Sequence, residues 1–136
     1  MSVISKFNHE GYRDLVPHAV LSKIEKEAQA RRLLVYVASP YAGDRELNTK
    51  KAIRYCRFAV DNGVIPLAPH LFLPLFMSEE REREAALHMN KQFMNKCEQL
   101  WVFGDVISEG MKAEIRHARR RRIPIRYFTE DCQEKT

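Results

Sequence analysis

Short apolar runs that alternate with amphipathic stretches constrain the fold of this chain more than any other feature. The runs Leu33–Ala38 and Leu100–Phe103 are continuously apolar, which is typical of strands buried on both faces of a parallel sheet. The runs Val64–Ala68 and Ile123–Phe128 are also mostly apolar, and no hairpin sequence joins any two of the four. The pattern therefore predicts parallel strands, each followed by a crossover connection.

Helical patterns separate these runs. They cover Glu46–Asn62, Glu79–Cys97 and Gly110–Arg121, and a further amphipathic pattern over residues 12–31 predicts a leading helix. Strands that alternate with helices pack as a sheet with helices on both faces. We therefore expect a single α/β domain over residues 1–136, a three-layer sandwich with a parallel, flavodoxin-like or Rossmann-like sheet of four to five strands.

The composition disfavours several classes of protein. No apolar run is long enough to cross a membrane, and the N-terminal sequence lacks the apolar segment of a signal peptide. Cys56, Cys97 and Cys132 are odd in number and form no CxxC pair, which favours reduced thiols over a disulfide or a zinc site. We therefore expect a cytoplasmic protein without a metal or another cofactor and without membrane contacts.

Much of the formal net charge of +5 comes from the run Arg119–Arg122. Such a run is either a nucleic-acid patch or a solvated last helical turn whose cations stabilise the negative end of the helix. Because no aromatic residues are interleaved with the arginines, the second interpretation is favoured, and nucleic acid is disfavoured as a partner.

The helical pattern Gly110–Arg121 carries a carboxylate on its apolar side. Met111, Ile115 and Ala118 form the inward stripe, and Glu114 lies three residues after the first of them and four before the last. Cβ atoms tilt toward the N-terminus of a helix, which directs Glu114 to the sheet edge where parallel α/β folds bind ligands. Because burial of a carboxylate is costly, we interpret Glu114 as catalytic; a role as dipole partner or half of a surface ion pair is the alternative.

Three loops follow the ends of the first three predicted strands, and parallel pairing brings them to one edge of the sheet. They are Ser39–Arg45, Pro69–Ser78 and Gly104–Ser108. The residues that we expect to bind a substrate there are Ser39, Tyr41, Arg45, His70 and Ser108, followed by Gly110 and Met111 in the next helix.

Two of these residues have a second explanation. Ser108 and the N–H groups that follow it suit a phosphate or carboxylate anion, yet a serine before a helix is most often its N-cap. His70 is equally well explained as a pocket donor and as a structural histidine. The sequence contains no Walker, GxGxxG or GxSxG motif, which disfavours an ATPase, a dinucleotide dehydrogenase and a serine hydrolase.

The segments VYVASPYAGD, IPLAPH, CEQLWVFGD and ISEGMKAEI follow one another in this order. Over residues 33–128 they resemble the nucleoside 2-deoxyribosyltransferase-like superfamily, and more closely an uncharacterised bacterial and mobile-element branch of that group. The most specific part is the pattern (Ser or Asp)-x-Gly-x-x-x-Glu, which Ser108, Gly110 and Glu114 match.

The resemblance implies that Glu114 attacks the anomeric carbon of a sugar and displaces the base, after which the sugar passes to water or to another base. It therefore implies a hydrolase or transferase of nucleotide metabolism, an N-glycosidase or a deoxyribosyltransferase. The related 5′-monophosphate N-glycosidases have Ser at the position of Ser108, where deoxyribosyltransferases usually have Asp, so a monophosphate substrate is implied. The resemblance also implies a homodimer or larger homo-oligomer, for which the apolar loop Leu71–Met77 is a candidate contact.

The chain departs from the family pattern at Asn90, where an Asp often protonates the leaving base. An amide holds a base by hydrogen bonds but is no general acid. Either His70, His88 or water supplies the proton, or the protein binds a nucleotide without turning it over. A non-catalytic nucleotide-binding or sensor module is therefore the alternative function, and a nucleic-acid-binding protein of a mobile element is a third.

Overall fold

The computed structural model describes residues 32–136, in which strands and helices alternate. The strands are β1 (Leu34–Ala38), β2 (Ile65–Leu67), β3 (Gln99–Phe103) and β4 (Ile125–Phe128). The helices are α1 (Arg45–Asp61), α2 (Arg83–Asn95) and α3 (Glu109–Arg120), and the 3₁₀ turns Pro69–Leu71 and Leu73–Leu75 follow β2. The leading helix predicted over residues 12–31 lies outside the described residues.

The four strands form one parallel sheet in the order β2-β1-β3-β4. In this register Val37 of β1 lies opposite Trp101 of β3, which lies opposite Arg126 of β4 on its other side. The order matches the first four strands of a flavodoxin-like sheet. The predicted α/β class with a parallel sheet is therefore confirmed.

Alternate residues of the central strands enter two apolar clusters, one on each face of the sheet. One cluster joins the sheet to α1 and includes Val35, Val37, Trp101, Phe103, Phe128, Tyr55 and Ala59. The other joins the sheet to α2 and α3 and includes Tyr36, Ala38, Leu100, Val102, Met94, Cys97, Met111, Ile115 and Ala118. The sheet therefore lies between one helix on one face and two on the other, which is the predicted three-layer arrangement.

The largest error in the predicted bounds concerns α2, which begins at Arg83 and not at Glu79. The residues before it form a turn in which the Ser78 N–H donates to Glu82 Oε1 at 2.8 Å. The second strand is also shorter than predicted. It contains Pro66 and lies at the edge of the sheet, where a missing N–H is tolerated.

A polar contact that the sequence analysis did not predict joins α2 to α3. His117 of α3 is buried, and its Nε2 lies 2.7 Å from Asn95 Oδ1 at the end of α2. The three apolar residues predicted to face inward on α3 are indeed buried. His117 was missed because a histidine within a basic stretch has no apolar periodicity to reveal it.

Candidate functional site

A pocket of about 410 Å³ opens at the carboxyl end of the sheet. Its walls are the β1–α1 loop, the 3₁₀ turns after β2, one side of α2 and the first turns of α3. All but one of the residues predicted to form a site line it, namely Ser39, Tyr41, His70, Asn90, Ser108, Gly110, Met111 and Glu114.

The topology explains why these residues meet. After β1 the chain turns to α1 on one face of the sheet, whereas after β3 it turns to α3 on the other face. The segments that follow β1 and β3 therefore diverge from neighbouring strands to opposite faces of the sheet, and a crevice is left between them. The pocket occupies this crevice on the side of α2 and α3.

Glu114 projects from the second turn of α3 and is held by a residue of the central strand. The Tyr36 hydroxyl donates a hydrogen bond of 2.5 Å to Glu114 Oε2. Burial raises the pKa of Glu114 to about 7, although the hydrogen bond from Tyr36 acts in the opposite direction. The carboxyl group is therefore close to half ionised at neutral pH.

Tyr36 is the site residue that the sequence analysis missed. It lies in the middle of β1, is 1% exposed, and was read as part of an apolar strand. Burial and the neighbouring Glu114 raise its pKa well above the usual value, so it stays a donor. The available signal was a hydroxyl inside an apolar central strand, because a buried hydroxyl requires a partner.

His70 lies beside Ser39 on the pocket wall. Its Nε2 is 3.2 Å from the oxygen of the Ser39 hydroxyl, and the Tyr41 ring stands edge-on to it with centroids 6.2 Å apart. Burial lowers the pKa of His70 to about 4, so the ring is neutral at neutral pH and carries no acidic proton. His88, the other candidate donor, is exposed on α2 and lies within 3.1 Å of Gln92 instead of lining the pocket.

Arg45 is the predicted site residue that does not line the pocket. Its guanidinium is exposed, and Nη2 lies 3.0 Å from Glu79 Oε2. Glu79 does line the pocket, so Arg45 neutralises a carboxylate of the wall. The sequence did not reveal this pairing, because the acidic partner comes from a segment 34 residues away; direct contact of Arg45 with a ligand stays a prediction.

Ser108 caps α3 and leaves part of the helix start unused. Its Oγ accepts from the Met111 N–H at 3.2 Å, and its carbonyl accepts from the Lys112 N–H at 2.9 Å. The N–H groups of Glu109 and Gly110 come too early for intrahelical bonds. A Cβ at Gly110 would have only Ser108 Oγ within 4 Å, so this position faces open space. Ser108 is therefore the N-cap of α3, and this role remains compatible with anion binding.

Asn90 lines the pocket from α2. Its Oδ1 is buried and has no hydrogen-bond partner within residues 32–136. Leaving such an oxygen without a donor costs about 1–3 kcal/mol. The amide therefore has hydrogen-bonding capacity that the described part of the chain does not use.

The described part of the chain gives no sign of a metal site or a disulfide. Within residues 32–136, no group of His, Cys, Asp or Glu is arranged to hold a metal ion. None of the cysteines is paired, and no helix in this range is long and apolar enough to cross a membrane.

The raised pKa of Glu114 predicts a pH-dependent stability. The pKa is about 7 in the folded protein against 4.5 for an ordinary Glu, so the stabilising contribution is complete below pH 4.5 and is lost as the pH rises through 7. In Glu114→Gln the side chain stays neutral. We expect the free energy of unfolding of the wild type, relative to Glu114→Gln, to fall by up to about 3 kcal/mol across this range.

Denaturant titrations of both proteins from pH 4 to pH 8 measure this difference. His70 has a lowered pKa and contributes the opposite slope, because its stabilising effect is lost as the pH falls from 6.5 to about 4. Both proteins contain His70, so its effect cancels in the difference. A difference that stays constant with pH would contradict the shifted pKa.

Comparison with known proteins gives one match. A family model with the description Domain of unknown function (DUF7768) matches residues 33–128. No curated protein and no solved structure is detectably similar to the chain. The matched segment extends from β1 to β4 and contains every residue that lines the pocket.

Proposed function

We propose that this chain, which belongs to the DUF7768 family, cleaves the N-glycosidic bond between base and sugar in a nucleoside 5′-monophosphate, with Glu114 as the nucleophile. The observation that carries the proposal is the position of Glu114, a carboxylate hydrogen-bonded to Tyr36 in the wall of a ligand-sized pocket. The resemblance of Ser108, Gly110 and Glu114 to the nucleoside 2-deoxyribosyltransferase-like pattern supplies the reaction class.

The chemistry begins with attack of the ionised Glu114 on C1′. The bond from C1′ to the base nitrogen breaks, and its electron pair leaves with the base while positive charge develops on the sugar. Tyr36 bonds to Oε2, which leaves Oε1 to form the ester with C1′. Water then attacks C1′, the C1′–Oε1 bond breaks and its electron pair returns to the Glu114 carboxylate, which completes an N-glycosidase reaction; attack of a second base on C1′ with the same leaving group completes a deoxyribosyl transfer.

The leaving base needs a proton, and Asn90 does not provide one. The neutral His70 does not provide one either, because its pKa is about 4. We therefore propose that water protonates the base and that the Asn90 amide holds it by hydrogen bonds. The wall between α2 and the 3₁₀ turns is apolar and suits a planar base; its residues are Leu73, Pro74, Met77, Ala86 and Leu87.

The start of α3 is the part of the pocket that suits a 5′-phosphate. The Ser108 hydroxyl accepts from Met111 and still has its own proton to donate. The N–H groups of Glu109 and Gly110 are additional donors at the positive end of the helix. This arrangement supports a monophosphate over a free nucleoside.

A nucleotide-binding or sensor module without turnover is the second candidate function. Two observations favour it: Asn90 replaces an acidic group, and His70 is neutral. Thermal stabilisation by nucleotides without release of free base would support this function over the first.

Two further proposals concern the setting of the protein. Leu75 and Phe76 are 81% and 69% exposed near the pocket, and we propose that they form the contact of a homodimer or larger homo-oligomer. Light scattering on the purified chain tests this contact. The unpaired cysteines agree with a reducing compartment, and we propose a cytoplasmic location.

The first experiment is a chromatographic screen for free base, using nucleosides and nucleoside monophosphates. For Glu114→Gln we expect a loss of about three orders of magnitude or more in kcat, because the covalent nucleophile is gone. Glu84→Gln is a matched control on the exposed face of α2 and should keep wild-type activity. A folded Glu114→Gln protein that releases base at the wild-type rate would disprove the assignment.

Asn90→Asp should add the proton donor that the pocket lacks. We expect kcat to rise about a hundredfold on at least one base, which is the usual value of general acid catalysis. The control Gln92→Glu adds a carboxyl group to an exposed position of the same helix and should change nothing. The absence of a gain on every base tested would show that another group already supplies the proton.

Ser108→Asp should affect activity on nucleoside monophosphates and activity on nucleosides differently. Asp caps a helix as well as Ser does, so the fold should survive, but its carboxylate would repel a phosphate at ~4 Å by several kcal/mol in a partly buried site. We expect kcat/KM to collapse for monophosphates and to stay level or rise for nucleosides. Ser108→Asn, which keeps a cap without the charge, is the control. Equal losses on both substrates would leave Ser108 as a helix cap alone.

A further inference from the structure

One face of α2 forms a continuous wall of the pocket. Arg83, Ala86, Leu87 and Asn90 all line it, and their spacing of three, four and seven residues places them on a single stripe of the helix. At 1.5 Å of rise per residue the stripe is about 10 Å long. Because α2 leads from the carboxyl end of β2 to the amino end of β3, Arg83 lies at the carboxyl edge of the sheet and Asn90 lies deeper.

Some charged residues on the pocket wall form salt bridges and others do not. Three carboxylates line it, of which Glu79 is paired with Arg45 at 3.0 Å and Glu109 with Lys112 at 3.0 Å. Glu114, the third, is bonded to Tyr36 and not to a cation. Among the described residues 32–136, Arg83 is the only Lys or Arg on this wall, and it makes no salt bridge with any of the others.

A phosphate that enters this pocket needs a positive charge close to it. Two of the three carboxylates on the wall are paired with cations, but the donors at the start of α3 are a hydroxyl and two N–H groups without a full charge, which leaves a dianion uncompensated. The guanidinium of Arg83 is an always-charged group whose planar fork matches two phosphate oxygens. The starts of α2 and α3 lie at the same edge of the sheet, on the same face.

We infer that Arg83 binds the 5′-phosphate of the substrate from the α2 side of the pocket while Ser108 and Gly110 bind it from the α3 side. Arg83 is thus a specificity-determining residue, which selects nucleotides over nucleosides. That the ligand is a nucleotide rests on the proposed function, whereas the binding of an anion by Arg83 does not.

The test is Arg83→Gln, measured by calorimetric titration with a panel of nucleoside monophosphates, the matching nucleosides and inorganic phosphate. Arg81→Gln removes an exposed arginine two residues away that does not line the pocket, and it is the matched control. We expect Arg83→Gln to weaken monophosphate binding about ten- to a hundredfold, the worth of a charged hydrogen-bond pair, and to change nucleoside binding less than twofold. Arg83→Lys should recover part of the loss. Equal thermal stability of the unliganded proteins excludes a folding defect.

Titrations in the Glu114→Gln background keep this test independent of turnover. Phosphate-dependent binding that needs Arg83, without base release by the wild type, supports the inference and overturns the glycosidase. Base release from monophosphates with an unchanged KM in Arg83→Gln supports the glycosidase and overturns the inference. Equal losses for monophosphates and nucleosides, or a wild type that binds neither phosphate nor monophosphates, also overturn it.

Discussion

The parallel pairing of β1 with β3 is the constraint on which the rest of this structure depends. Both strands end at the same edge of the sheet, where Ala38 lies opposite Val102. The chain then leaves β1 toward one face and β3 toward the other, which opens the crevice that becomes the pocket. A ligand in this crevice contacts loops and helices, because the side chains of the strands are buried under apolar packing on both faces of the sheet.

The hydrogen bond between Tyr36 and Glu114 shows how a polar group is kept within that packing. Burial raises the pKa of the Glu114 carboxyl group to about 7, and the hydrogen bond from Tyr36 partly offsets this shift. An arginine beside this carboxylate would favour its charged form, whereas Tyr36 contributes a hydrogen bond without a positive charge. The tyrosine instead orients one oxygen and leaves the other free, which is compatible with the attack that we propose for it.

The other two carboxylates of the pocket wall are paired with cations that do not line the pocket. Arg45 neutralises Glu79, and Lys112 neutralises Glu109, so the wall carries acidic groups without a large net field. Because of this pairing, an anionic ligand meets less repulsion than the three carboxylates on the wall would exert if all of them were unpaired. Among the described residues, Arg83 is then the cation of this wall that has no salt bridge, and this is why we infer that it binds the phosphate.

Periodicity along the sequence determined the fold class and the inward position of Glu114, because helices and buried strands repeat over a few neighbouring residues. Parallel topology then predicted that the loops carrying Ser39, His70 and Ser108 converge. Only the tertiary structure decided the partners: Tyr36 for Glu114, which lies 78 residues away, and Glu79 for Arg45, which lies 34 away. It also decided the pKa values, since these depend on burial and on neighbours that packing supplies. Local patterns encode which way a side chain faces, but the group it meets is set by how distant elements pack.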